Sequence, residues 1–65
     1  MKHAVRTYDR NGKCLYENHF RTAEAAYKEY TDNIRILKKF IKKGEEITIA
    51  RFNEGDLMTF ETIKG

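Results

Sequence analysis

Residues 22–44 read TAEAAYKEYTDNIRILKKFIKKG, and whether they form one helix or two decides the fold. Thr22 is suited to be an N-cap, since its hydroxyl can accept a free N–H of the first turn, and Glu24 follows where the helix dipole favours an acid. Lys42, Lys43 and Gly44 make a usual stop signal. Thr31, Asp32 and Asn33 are poor helix formers in the middle of the run. The apolar phase passes straight through them. Ala23, Ala26, Tyr27, Tyr30, Ile34, Leu37 and Ile41 keep spacings of three and four, which places them on one stripe. One helix of roughly five to six turns, ending at Gly44, is expected from this periodicity.

Two β-prone segments lie on each side. Residues 2–8 and 13–20 flank Asp9-Arg10-Asn11-Gly12, and Asn-Gly between such runs is the strongest short hairpin signal. Two registers fit. A two-residue Asn11-Gly12 turn pairs Arg6 with Glu17 and Val5 with Asn18; a type I turn with a glycine bulge sets His3 opposite His19. The first is preferred because it creates a cross-strand ion pair. After Gly44, residues 46–52 and 57–63 flank Asn53-Glu54-Gly55-Asp56. With Glu54-Gly55 as the turn centre, Ile47 and Ile49 share a core face with Met58 and Phe60. The expected fold is α+β: one domain over residues 1–65, ordered ββαββ, with a four-stranded, mainly antiparallel sheet and one long helix on one face.

One helix covers only one face of such a sheet. The opposite face is expected to carry Tyr8, Leu15, Ala50, Phe52, Leu57 and Ile63, diluted by Arg6, Glu17, Thr48, Thr59 and Glu61. A half-apolar open face is where a small domain meets a partner or its own twin. Ile36 and Phe40 fall off the helix's core stripe and form a second apolar edge, unless a break near Thr31 rotates them inward. The protein-contact candidates are therefore Tyr8, Leu15, Ile36, Phe40, Phe52, Leu57 and Ile63.

Lys28, Arg35, Lys38, Lys39 and Lys42 share one helix flank, within an arc of about 100°. Such a row can lie on phosphates, and a weakly sequence-specific nucleic-acid binder is the alternative reading. Overall charge argues against it. Thirteen Lys and Arg are offset by ten Asp and Glu, leaving a net charge of only +3. The strands extend no basic row, and the aromatics lack the spacing of a base-stacking platform.

Little of the inventory serves catalysis. There is no serine for a Ser-His-Asp triad. Cys14, the single cysteine, is expected on the core side, and its odd separation from His19 points the two to opposite faces. His3 and His19 make a two-ligand metal site only in the alternative register. The four glycines form no phosphate loop. No enzyme activity, cofactor, metal or small-molecule substrate is expected. With one cysteine, an opening MKHAVRTYD that lacks an apolar core, and no membrane-length apolar run, the expected place is the cytoplasm and no membrane contact is expected.

At 65 residues, with 40% hydrophobic and 35% charged residues, the chain is foldable but buries only roughly 60% of its unfolded surface, so a partner matters. The hairpin YDRNGKCLY, the single helix and the closing ITIARFNEGDLMTF resemble, in general type, small phage-encoded anti-defence proteins such as the anti-CRISPR proteins. That resemblance implies an inhibitor that occupies a surface of a host protein complex. Many such proteins are acidic and imitate nucleic acid; a charge of +3 departs from that pattern.

Overall fold

Thr22 opens the helix as its chemistry requires. Its extended backbone (φ −123°, ψ 152°) turns the side chain inward, and Oγ1 accepts the Ala25 N–H at 3.1 Å. The computed structural model describes residues 2–65 and orders them as β1 (His3–Tyr8), β2 (Cys14–Phe20), α1 (Ala23–Phe40), β3 (Glu46–Asn53) and β4 (Asp56–Lys64). All strand pairs are antiparallel, in the spatial order β2-β1-β3-β4, which is the expected ββαββ architecture in a single α+β domain.

The helix does not break at residues 31–33, because each weak helix former bonds within its own helix. Thr31 Oγ1 donates to the Lys28 carbonyl at 3.1 Å, Asp32 accepts from Lys28 and Arg35, and Asn33 reaches Glu29. It does end earlier than its glycine suggests. Ile41 leaves helical geometry (φ −63°, ψ 136°) while its N–H still bonds the Leu37 carbonyl. Gly44, at φ +88°, serves instead the tight turn that follows, closed by the Glu45 N–H on the Lys42 carbonyl at 3.0 Å. Lys42 and Lys43 therefore lie beyond the helix.

The first hairpin combines both readings of its sequence. Gly12 N–H bonds the Asp9 carbonyl and Asp9 N–H bonds the Lys13 carbonyl, with Gly12 at φ +84°: a three-residue loop with a glycine bulge. Asp9 steadies it by accepting the N–H groups of Asn11 and Lys13. That loop alone sets His3 opposite His19. An extra residue, Leu15, then enters β2 between the partners of Thr7 and Tyr8 and restores the other register, Arg6 opposite Glu17 and Val5 opposite Asn18.

The second hairpin also holds a bulge, with a larger effect. Glu54 (φ +53°) and Gly55 (φ +87°) form the two-residue turn, and Phe52 faces Leu57 as expected. Met58 is then unmatched, so Arg51 faces Thr59, Ala50 faces Phe60, and Ile47 faces Ile63. A one-residue slip exchanges the two sides of a strand. Beyond the bulge β4 is therefore inverted relative to the sequence reading: Ile63 joins Ile47 and Ile49 beneath the helix, while Phe60 points away from it.

The core contains Val5, Ala26, Tyr30, Ile34, Ile49 and Ile63, with Phe20, Leu37, Ile41 and Ile47 packed around them. The helix stripe holds at Ala26, Tyr30, Ile34 and Leu37; Ala23 and Tyr27, also placed on it by the spacing, are exposed. Tyr27 lies beneath the Arg51 guanidinium at 5.7 Å. The buried core is of modest size, as a chain this short allows.

Candidate interaction surfaces

Residues directly opposite one another share a face, so the register orders the open side of the sheet into rows. Across β2-β1-β3-β4 these are His19–Ala4–Phe52–Leu57, Glu17–Arg6–Ala50–Phe60 and Cys14–Tyr8–Thr48–Thr62. Ala4 and Ala50 are buried although no element packs on this side, because their larger neighbours close over them. Arg6 is one of those neighbours, opposite Ala50. Its guanidinium lies 4.5 Å from the Phe52 ring centroid, and its Nε donates to Glu17 Oε1 at 2.6 Å. His19 Nε2 holds the other carboxylate oxygen at 2.6 Å. Those two bonds, His19 first, keep the Glu17 carboxylate below its ordinary range, and the bonds to Glu17 and Tyr8 raise the Arg6 guanidinium.

The result divides the face in two. Its β2 side is a bonded polar group of Arg6, Glu17 and His19. Its β4 side is apolar and uncovered, with Phe60 59% and Leu57 53% exposed beside the half-buried Phe52. Of the sequence-predicted contact residues, Tyr8, Phe52 and Leu57 lie on this face, and Leu15 is exposed in the β2 bulge. Ile63 is a correction: at 5% exposure it belongs to the core, because the Met58 bulge turned it under the helix. Phe60 replaces it on the open face, and the sequence reading had placed it inside. Met58, expected inside as well, is exposed at the bulge.

Ile36 and Phe40 are exposed on the helix, at 51% and 72%. Ile36 lines a groove of about 310 Å³ between α1 and the sheet, together with Leu37, Asn33, Tyr16, Asn18 and Thr7. Tyr16, on the edge strand β2, is 70% exposed across from it. Ile36 thus faces the β2 side of the sheet, while Phe40, near the helix end, is not part of the groove.

The basic flank is partly paired within the chain. Lys28 and Arg35 both hold Asp32, at 2.7 and 3.0 Å, and Lys38 reaches across to Glu61 on β4 at 3.2 Å. The Lys28 hydrogen bond, with the nearby Arg35 charge, keeps the Asp32 carboxyl below its usual range. Lys39 is exposed on the helix, and Lys42 stands beyond its end, off the flank to which it was assigned. Two carboxylates thus face three of the five cations, through exposed pairs that contribute little each.

Cys14 also departs from expectation. It is exposed, on the open face opposite Tyr8, and its Sγ–H points to the Tyr16 carbonyl at 3.4 Å. The Leu15 bulge puts it on the same face as His19. Their β1 partners, Tyr8 and Ala4, are four residues apart, about 13 Å along the strand, too far for a thiolate–imidazole pair. Among the described residues, no three of His, Cys, Asp and Glu converge as a metal site would need. Nor, among the described residues, is any helix long and apolar enough to cross a membrane. Comparison with protein-family models, curated proteins and solved structures found no significant match to this chain.

Proposed function

We propose that this chain is a non-enzymatic protein-binding module of the cytoplasm, acting as a phage-type inhibitor that occupies a surface of a host protein complex. The observation that carries this reading is the uncovered apolar half of the sheet, where Phe52, Leu57 and Phe60 lie together over the buried Ala50. An apolar patch rimmed by polar groups is the usual form of a protein contact site. Phe60 supplies the large aromatic that such sites use as an anchor, and the Arg6–Phe52 stack presents a fixed guanidinium beside it.

The test is capture from host lysate by the tagged protein, followed by identification of what is retained. Leu57→Asp and Phe60→Asp are expected to abolish capture while the domain still folds, with the circular dichroism spectrum retained and the melting temperature lowered by several degrees at most beyond that of a neutral change at the same site. Arg35→Glu with Lys39→Glu is expected to leave capture intact. Retention of nucleic acid alone, lost on those charge reversals and on raising salt, would replace this reading with the nucleic-acid one.

A further inference from the structure

The edge of β2 is open, and we propose that it pairs antiparallel with β2 of a second copy, about a two-fold axis through Asn18. Edge strands are normally guarded by lysine, proline or cover from another element. Residues 16–20, YENHF, contain neither lysine nor proline, and their single carboxylate is already bonded to Arg6 and His19. Every residue from Cys14 to His19 is exposed.

Geometry selects the register. A two-fold axis that lays a strand antiparallel on itself stands normal to the sheet, so both helices end on the same side. Residues opposite one another must then share a face, which requires paired residue numbers to have an even sum. The Leu15 bulge ends the regular edge, and the stretch left, residues 16–20, is centred on Asn18. Centring on Glu17 would set two carboxylates opposite each other, and centring on Tyr16 would run the bulge into the pairing. Centring on Asn18 places Glu17 opposite His19 of the partner copy, and Tyr16 opposite the partner copy's Phe20, each twice. The first sets a carboxylate beside an imidazole, with no like charges opposed, on the open face; the second is an aromatic pair on the helix face. The strand is complementary to itself in this register.

Pairing extends the sheet to eight strands and leaves the helices antiparallel, one on either side of the seam. Tyr16, 70% exposed in one copy, gains the partner's Phe20 as a neighbour beside the groove that Ile36 lines. A seam of five residues is small beside the ~800 Å² per partner of a standard interface, so the dimer is expected to be weak and to form at high protein concentration. The pairing uses the sheet edge rather than the open face, so it stands or falls independently of the function proposed above.

Two measurements test it. In sedimentation from 10 µM to 1 mM, the mass is expected to rise from 7.7 kDa toward twice that value. Asn18→Lys should weaken self-association at least tenfold, because two ammonium groups meet at the axis; within one copy the lysine faces Glu29 and does not harm folding. In a Cys14→Ser background, Asn18→Cys should oxidise to a covalent dimer at least tenfold faster than Tyr16→Cys. Opposed Cα atoms stand about 4.5–5.5 Å apart, within disulfide reach, whereas the two Tyr16 positions lie about 13 Å apart along the seam. A wild-type chain that stays monomeric at 1 mM overturns the proposal, as does Tyr16→Cys crosslinking as fast as Asn18→Cys. Leu57→Asp, on the open face, should leave the dimer intact.

Discussion

Introducing threonine at Ile63 and at Phe60 tests the inversion of β4 directly. Threonine suits a strand, so backbone preference changes little at either site. Ile63 is 5% exposed in the core with Ile49 and Ile47. Ile63→Thr removes buried methyl groups worth about 1 kcal/mol and buries a hydroxyl that costs a further 1–3 kcal/mol, about 3 kcal/mol together. Phe60 is 59% exposed, so Phe60→Thr gives up less than half of the roughly 1.5–3 kcal/mol that full burial supplies, about 1 kcal/mol. For a domain of this size each kcal/mol lowers the melting temperature by about 4–8 °C. Ile63→Thr should thus fall by some 12–24 °C and Phe60→Thr by about 4–8 °C. Thermal melts followed by circular dichroism read the difference. Should Ile63→Thr fail to fold, Ile63→Val at about 1 kcal/mol and a urea titration supply the comparison. A sheet without the Met58 bulge reverses the order, with Phe60→Thr the more damaging change. That result would refute the register and, with it, the assignment of Phe60 to the open face.

Two further changes probe the polar side of the fold. Glu17 is held below its ordinary 4.5 in the folded state, so its contribution is present above that value and is lost as the pH falls through the lowered one. The melting temperature should accordingly drop between pH 5 and pH 3, and less so in Glu17→Gln; equal drops in both proteins would remove the Arg6–Glu17–His19 group as the cause. Glu54 adopts φ +53° without being glycine, in a turn that favours Asn-Gly. Glu54→Asn should raise stability by about 0.5 kcal/mol in urea titration, since the exposed 3.9 Å pair with Lys2 that it loses contributes little. A loss of stability would show that the pair outweighs the backbone strain.

Much of the fold is legible because it depends on local signals. Thr22 caps, Asn11-Gly12 and Glu54-Gly55 turn, and the apolar period from Ala26 to Ile41 marks the buried face of one helix. The bulges are not legible in this way. Leu15 and Met58 are ordinary strand residues, and nothing in KCLYENHF or LMTFETI distinguishes a strand that skips one residue from one that does not. The extra residue answers to the twist of the assembled sheet and to the packing of the helix upon it. Its effect is nevertheless decisive for the candidate site. It moved Ile63 inward, Phe60 and Met58 outward, and Cys14 onto the side of His19. The ion pairs of the basic flank were hidden for a different reason: helical spacing locates Lys28, Arg35 and Lys38 but not which carboxylates, Asp32 and Glu61, face them.

Leu15 and Met58 give each hairpin one residue of slack. Both sit on outer strands, close to the turn, while β1 and β3 pair with each other without interruption at the centre of the sheet. Removing either residue would leave every other strand partner as it is. Changes in chain length near the two turns can therefore be taken up at the periphery, where they alter which side chains the rim presents and spare the pairs in the middle. The same central scaffold can in this way carry different outer surfaces, with a single codon gained or lost as the unit of change.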